Sequence, residues 1–335
     1  MAYVKILRVP NLILLALTMF AVRYCLVGGW LAQASYYYQT IETTYAINFS
    51  MADFYFNLLV LSSVLIAAAG FIINDYFDLK TDRINRPGSN AVGKGVSRRM
   101  AIFLHITLNA IGLLIGVFLA WKSHAWRLIG VQVFSILLLW VYSSYLKKRA
   151  GYGDIVISFL TLLVPISVYM YEAAFGFTNL IIELSAIIPQ DELPQTARLG
   201  LIPWAIMGYA IVAALSNFIR QNFKDLEQLQ GDRETHNRTL PLVWGEDNTR
   251  KLAIALTLIT FALIALTQYI MFAWQLKTLL LYTIVGVQLP LAAILVVALR
   301  ARQKNHYALL NRLMFVVMVM GVISLPVLYY NLTSM

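Results

Sequence analysis

The sequence predicts an all-α, polytopic membrane protein, and its composition and the distribution of its apolar residues indicate this class. Of its 335 residues, 60% are hydrophobic and only 13% are charged, whereas soluble domains carry about 25% charged residues. The apolar residues form long uninterrupted runs, which favours spanning helices over the alternating strands of a barrel. Cys25 is the single cysteine, so no disulfide can form within the chain.

Nine apolar runs are long enough to cross the hydrocarbon core of a bilayer, which takes about 20 residues. We expect these helices to form one domain, residues 1–335, as a bundle around a central cavity. In chain order, the predicted helices cover residues 12–32, 54–76, 99–121, 126–146, 153–174, 200–222, 250–272, 277–299 and 308–330.

The basic residues predict the orientation of the bundle. With the N-terminus in the cytoplasm, segments on that side hold 21 Lys and Arg residues, segments on the other side hold 4, and Arg23 inside the first helix completes the 26. Because cytoplasmic loops carry the excess of Lys and Arg, we expect a multi-pass protein of the cell inner membrane with a cytoplasmic N-terminus. The net charge of +10 then reflects topology and contact with anionic membrane lipids, and we expect no nucleic-acid partner.

The second predicted helix ends in the acidic stretch NDYFDLKTDRINR, which begins at Asn74. Asn74, Asp78 and Asp82 follow at intervals of four, so a continued helix would place their oxygens on one face. Like charges at this spacing repel each other, and such oxygens suit Mg²⁺ that is also bound by substrate phosphates. The basic residues that would hold further phosphate oxygens come directly after: Arg83, Arg86 and Lys94.

The sixth predicted helix ends in a similar way and on the same side of the membrane. Arg220, Lys224, Gln228 and Asp232 also follow at intervals of four, and Asp225 precedes Asp232 by seven residues. Either stretch alone could be a solvated interfacial loop. Together, however, they hold six of the 16 acidic residues, which favours two helix ends that converge on one polyanion with bridging metal ions. These acids are Asp75, Asp78, Asp82, Asp225, Glu227 and Asp232.

The two stretches resemble the motifs of the UbiA superfamily of intramembrane prenyltransferases. NDYFDLKTD is similar to N-D-x-x-D-x-x-x-D, and RQNFKDLEQLQGDRETHNRTLP resembles the second motif of the branch that prenylates geranylgeranylglyceryl phosphate. The resemblance covers nearly the whole chain. Three residues depart from the pattern, since Gln228 replaces an Asp, His236 a Gly and Gln221 a Glu.

The resemblance implies a Mg²⁺-dependent enzyme with a polyprenyl diphosphate donor and a lipophilic acceptor. It implies four metal ligands: Asn74, Asp78, Asp82 and Asp232. The three aspartates would also be catalytic, together with Lys224. It further implies substrate contacts at the same membrane face: Asn11, Arg83, Lys94, Tyr142, Tyr145, Lys147, Arg220, Asp225 and Gln228. The two tyrosines would offer aromatic faces to an allylic cation.

Purely structural roles are the alternative for several residues outside the acidic stretches. Asn11 also fits a helix boundary, and the segment from Tyr142 to Lys147 also fits an aromatic belt followed by a cytoplasmic lysine. Asp154 stands where the branch has Asn, and we interpret it as an acid favoured by a helix N-terminus. Arg23 is either a functional group or a partner of carbonyls inside the bundle.

The favoured acceptor is a glyceryl-phosphate lipid, and the alternative is an aromatic acid of quinone biosynthesis such as a hydroxybenzoate or naphthoate. A membrane transporter is the alternative from another class. A transporter would place ionisable groups near the bilayer midplane, whereas here the acids lie at the ends of predicted helices. We therefore expect an enzyme whose active site faces the cytoplasm.

Overall fold

A computed structural model describes residues 6–40, 48–85, 92, 95–187, 191 and 193–334, and almost all of them are helical. Within these ranges, nine helices are long and apolar enough to cross a membrane, as the sequence predicts. The cytoplasmic N-terminus and the central cavity stay predictions. The spanning helices are α1 Val9–Tyr37, α2 Asp53–Phe77, α3 Arg98–Lys122, α4 Trp126–Ser144, α5 Tyr152–Leu184, α6 Leu199–Glu227, α7 Glu246–Ala273, α8 Lys277–Arg300 and α9 Lys304–Thr333.

Local departures from the α-helix interrupt three of the spans, and shorter helices follow two other spans. One π-helical turn lies in each of α1, α5 and α8: Ala21–Val27, Ala173–Phe177 and Ile284–Gln288. The short helices follow α2 and α6 on the chain: Leu79–Asn85, Leu229–Glu234 and Leu240–Trp244.

The spans pack as neighbouring pairs, with α2 against α3, α5 against α6, and α6 against α7 and α9. Small residues allow the closest approach between α2 and α3. A Cβ added at Gly112 would lie 2.8 Å from Cγ1 of Ile66, and the Ser62 hydroxyl donates a hydrogen bond to the Gly112 carbonyl (2.7 Å). Close approach at small residues together with hydrogen bonds between helices is the usual source of packing energy in a membrane.

Arg23 joins α1, α2 and α5. Its contacts lie at the N-terminal end of α2 and in the C-terminal half of α5. The guanidinium is fully buried, and it forms ion pairs with Glu172 (Nε to Oε1, 2.8 Å) and Asp53 (Nη1 to Oδ1, 3.1 Å). It also donates to the carbonyl of Met51, whose N–H donates to the other oxygen of Glu172 (3.0 Å). These contacts indicate a structural role for Arg23, because they tie α1, α2 and α5 together.

Replacing Glu172 with Gln tests this ion-pair network. The variant leaves Arg23 buried with only the largely exposed Asp53 as a charged partner, and breaking a buried pair costs about 3–5 kcal/mol. We expect a clear fall in the melting temperature of the detergent-solubilised protein. The matched control is Glu183→Gln, an exposed acid on the same span, which should leave the melting temperature unchanged. Equal melting temperatures for both variants would contradict the role given to Arg23.

Candidate active site

The acidic end of α2 is built on a break in the helix at Asp78. Asp78 leaves the helical conformation (φ −85°, ψ 1°), and the short helix Leu79–Asn85 starts directly after it. The four-residue spacing persists across the break, because the N–H of Asp78 donates to the Asn74 carbonyl (3.0 Å) and the N–H of Asp82 donates to the Asp78 carbonyl (2.9 Å). The chain therefore breaks where the sequence suggested a continued helix, but the helical register is kept.

The end of α6 has the same local structure at Gln228. Gln228 leaves the helical conformation (φ −98°, ψ 8°), and the short helix Leu229–Glu234 follows. Its N–H donates to the Lys224 carbonyl (3.0 Å), and the N–H of Asp232 donates to the Gln228 carbonyl (3.2 Å). Gln228 is therefore the structural counterpart of Asp78 in the other acidic stretch.

The two acidic stretches meet through their short helices, which pack against each other. The hydroxyl oxygens of Thr81 and Thr235 lie 3.2 Å apart. The side-chain amide of Asn237 donates to Oδ1 of Asp232 (3.0 Å) and to the Thr81 hydroxyl (3.5 Å). The two stretches therefore form one site, at the end of the bundle where α2, α4 and α6 end.

Asp78 lies at the centre of a buried polar network. The Asn74 amide donates to Oδ2 of Asp78 (2.7 Å), and the ammonium group of Lys147 forms an ion pair with the same oxygen. Lys147 also donates to Oδ1 of Asn74 (3.4 Å). It is held in place by a 3₁₀ turn, Leu146–Lys148, which directly follows α4.

The charges around Asp78 shift the pKa values of its neighbours in a consistent way. Burial works to lower the pKa of Lys147, but the attraction of Asp78, the hydrogen bond to Asp78 and the interaction with Tyr142 together outweigh burial, and the pKa lies above its ordinary value. Lys147 therefore carries a permanent positive charge at neutral pH. Burial raises the pKa of Asp82, and the like charge of Asp78 raises it further. An added cation would therefore stabilise the charged form of Asp82.

Asp232 occupies the matching place in the second stretch. Its carboxylate is buried and accepts hydrogen bonds from Asn237 and from the Thr239 hydroxyl (3.4 Å to Oδ2). Burial raises its pKa, and the hydrogen bond from Asn237 opposes that rise. Lys147 and Asp78 also act electrostatically on Asp232, which indicates that both stretches share one electrostatic environment.

Arg8 and Asp154 belong to this site although neither is among the site residues expected from the sequence. Arg8 directly precedes α1, has a left-handed backbone (φ 48°) and forms an ion pair with Asp75 (2.5 Å). Burial works to lower the pKa of Arg8, but Asp75 and Asp78 outweigh it and the pKa is raised. Asp154 is buried in the first turn of α5, and no described residue donates a hydrogen bond to its Oδ2. The available signal for Arg8 was its place in the Arg-Val-Pro-Asn sequence before α1.

The two tyrosines predicted to face an allylic cation lie in different surroundings. Tyr142 is buried, close enough to Lys147 and Asp78 to interact with both charges. Tyr145 is 52% exposed, and its ring lies 4.7 Å from the guanidinium of Arg149. The end of α4 turns the side chain of Tyr145 outward, and its contact with an allylic cation stays a prediction.

Arg220 and Glu227 are turned toward α9. Nε of Arg220 donates to the side-chain oxygen of Asn311 (3.2 Å), and the Asn311 amide donates to Glu227 (3.0 Å). The guanidinium also lies 4.9 Å from the ring of Phe315. These contacts anchor α6 to α9, and the substrate contact suggested for Arg220 stays a prediction.

The remaining predicted residues surround the network less closely. Asp225 is partly buried and interacts electrostatically with Asp154 and Asp232. Arg83 is exposed on its short helix, and Asn11 lies partly buried at the start of α1, where its N–H donates to the Arg8 carbonyl (2.8 Å). Two further residues lie outside the described part of the chain: Arg86 and Lys94.

The described residues fit a magnesium site that needs further ligands from a substrate. In the described ranges, no three acidic, His or Cys side chains come close enough to hold a metal ion by themselves. Mg²⁺ commonly takes only one or two carboxylates and completes its shell with phosphate oxygens and water. Burial and the nearby charge of Asp78 raise the pKa values of Asp82 and Asp232, and no described residue donates to Oδ2 of Asp154, so a bound cation would stabilise carboxylates that are costly to bury.

The fold and the site define a multi-pass membrane protein with a buried, charged site at one end of its helices. The model of the UbiA prenyltransferase family matches residues 40–319, so the chain belongs to this family. The chain is 29% identical over 192 residues to a protein of Thermococcus sibiricus and 34% identical over 209 residues to one of Methanothermobacter thermautotrophicus. Both relatives are named digeranylgeranylglyceryl phosphate synthase. The matches span 57% and 62% of each relative and the same shares of this chain, which is less than two thirds.

Solved structures with low sequence identity share the fold. A UbiA homologue from Aeropyrum pernix K1 is 16% identical with a TM-score of 0.55, covering 91% of this chain and 96% of its own. A UbiA homologue from Archaeoglobus fulgidus, solved with DMAPP and Mg²⁺, is 17% identical with a TM-score of 0.53, covering 97% and 99%. The nine-helix arrangement is thus the fold of the family.

Replacing Gly153 with Ala tests how Lys147 is positioned. A Cβ at Gly153 would lie 2.9 Å from Cα of Lys147 and 3.2 Å from the Leu146 carbonyl, and overpacking of this kind costs about 1–3 kcal/mol. We expect a lower melting temperature in detergent. At Gly208, by contrast, an added Cβ would meet no atom within 4 Å, so Gly208→Ala should not lower the melting temperature. If Gly153→Ala melts like Gly208→Ala, the turn that carries Lys147 does not depend on this contact.

Proposed function

We propose that the protein is a Mg²⁺-dependent intramembrane prenyltransferase that moves a polyprenyl group from its diphosphate to a lipophilic acceptor. The observation that carries this proposal is the Asn74–Asp78–Lys147 network, which shares a buried site with Asp232 at one end of the bundle. Acids that can hold a metal ion and lysines that can hold phosphate oxygens are thus placed together. Membership of the UbiA prenyltransferase family supports the same reaction class.

The site would hold the diphosphate by combining metal ligands with fixed positive charges. Lys147 and Arg8 have raised pKa values, so both stay charged at neutral pH and attract phosphate oxygens. Mg²⁺ would be bound by Asn74, Asp78, Asp82 and Asp232 and would supply Lewis-acid neutralisation of the leaving group.

The proposed reaction breaks one bond and forms another. The bond between C1 of the prenyl chain and the diphosphate oxygen breaks, and its electron pair leaves with pyrophosphate. The acceptor hydroxyl oxygen then bonds to C1, and its proton passes to the pyrophosphate that leaves. The buried ring of Tyr142 would stabilise the allylic cation through its aromatic face, and the apolar walls of the spans would keep water from reacting with that cation.

A glyceryl-phosphate lipid is the acceptor we favour. The relatives named digeranylgeranylglyceryl phosphate synthase support it, as does the run from Arg220 to the Thr-Leu-Pro sequence at Thr239. An aromatic acid such as a hydroxybenzoate or naphthoate is the alternative, because Gln228 and His236 depart from the glyceryl-lipid branch. A transporter is disfavoured because the acids of the two stretches lie at helix ends, whereas the charge of Arg23 in the π-helical turn of α1 is paired with Glu172 and Asp53.

We also propose that the whole chain, residues 1–335, is one domain of the cell inner membrane with its N-terminus and active site in the cytoplasm. The ratio of 21 to 4 basic residues supports this orientation. The site residues all come from the starts of α1 and α5 and from the ends of α2, α4 and α6, which lie on the same side under that orientation.

Removal of the aspartates tests the proposed reaction. Loss of residues around a metal ligand already costs 10–100-fold, so removal of the ligands themselves in Asp78→Ala or Asp82→Ala should lower Mg²⁺-dependent pyrophosphate release by more than about 100-fold. The assay uses detergent-solubilised protein, geranylgeranyl diphosphate, and a panel of glyceryl phosphates and aromatic acids, with product masses read out. We expect product with a glyceryl phosphate.

Glu234→Ala is the matched control, since Glu234 is an exposed acid on the second short helix and its removal should leave turnover unchanged. Unchanged turnover in either aspartate variant would reject the site, and product only with an aromatic acid would reject the favoured acceptor. A wild-type protein that releases no pyrophosphate with any acceptor would reject the enzyme.

A further inference from the structure

We propose that Asp154 supplies the carboxylate that Gln228 lacks, as a ligand of a divalent cation held together with Asp232 in the second half of the site. This inference rests on the proposed function, because it assumes that the site binds a diphosphate with divalent cations. It assigns a cation-binding role to a residue whose position, at the start of α5, is outside both acidic stretches.

The local structure identifies what is missing at Gln228. Gln228 and Asp78 both follow the end of a span, leave the helical conformation and precede a short helix. Asp78 brings a negative charge to this place, whereas the buried amide of Gln228 brings an oxygen without a charge. The backbone is therefore alike in the two stretches, but the second stretch has one negative charge fewer at this position.

Asp154 has a carboxylate oxygen that needs a partner. Its side chain is 8% exposed, and Oδ2 is fully covered and accepts no hydrogen bond from any residue that the structure describes. A buried charge without a partner is costly, so this oxygen indicates a ligand site for a cation. The hydroxyl of Ser158 does not satisfy it, because that hydroxyl bonds the backbone carbonyl of Asp154 (2.7 Å).

The charges around Asp154 place it in the second half of the site. Lys224 and Lys147 attract its carboxylate and Asp232 repels it, yet in the described part of the chain no direct ion pair joins Asp154 to either lysine. Lys147 is engaged instead by Asp78. A cation between Asp154 and Asp232 would relieve the repulsion between these two acids.

The backbone fixes the position of Asp154 without help from its side chain. α5 begins after Gly151, whose left-handed backbone (φ 73°) turns the chain into the helix. Gly153 lies so close to the backbone of Lys147 that no Cβ would fit. Asp154 is thus held beside the turn of Lys147 by main-chain packing, and its carboxylate is free to serve as a ligand.

The test counts bound Mn²⁺ on the full-length protein with inorganic pyrophosphate, by electron paramagnetic resonance and without turnover. We expect two Mn²⁺ ions on the wild type. In Asp154→Asn the weaker ion should bind at least about 10-fold less tightly. The double variant that combines Asp154→Asn with Gln228→Asp should restore the affinity for this ion. Glu234→Gln, an exposed acid near the site, is the matched control and should bind like the wild type.

A second measurement separates a cation ligand from a structural acid. In EDTA, removal of an unpartnered buried charge should not destabilise the protein, so Asp154→Asn should melt at or above the wild-type temperature. A lower melting temperature, or failure to fold, would show that the acid is structural and would overturn the proposal.

The Mn²⁺ count also separates this inference from the proposed function. Two ions that bind equally well to the wild type and to Asp154→Asn would overturn the role of Asp154 and leave the proposed function standing. A wild-type protein that binds no Mn²⁺ with pyrophosphate would overturn both.

Discussion

The ion pair between Asp78 and Lys147 is the contact on which the charged end of the bundle depends. A carboxylate at the end of α2 can be buried only if it is paired and hydrogen-bonded, and Lys147 after α4 together with Asn74 meets that need. Lys147 is fixed in turn by the close approach of Gly153 at the start of α5. One buried charge therefore sets the relative positions of three spans.

Charges are concentrated at two places in the molecule, which differ in how the buried charges are balanced. Around Arg23, the positive charge is balanced by Glu172 and Asp53 and surrounded by aromatic rings, so that cluster is closed and structural. Around Asp78, the acids outnumber their direct basic partners among the described residues, none of which donates to Oδ2 of Asp154. This imbalance, which costs stability, is what makes the second place suitable for binding a cation and a polyanion.

The nine spans and the two acidic stretches could be predicted because hydropathy and four-residue spacing are local properties of a chain. The partner of Asp78 could not, since Lys147 lies 69 residues away and only packing decides which lysine meets it. The direction of the Tyr145 ring, which lies near Arg149, could not be predicted either, because it depends on how the chain turns after α4. Asp154 was undervalued because no local pattern reveals that a carboxylate oxygen is buried without a donor.

Calorimetric binding of inorganic pyrophosphate to the full-length protein tests the central claim most directly, because it needs neither donor chain nor acceptor. The account predicts binding that requires Mg²⁺ and that is lost in Lys147→Met, which removes the charge paired with Asp78. Binding that is independent of Mg²⁺, or that survives unchanged in Lys147→Met, would contradict a diphosphate site built on this ion pair.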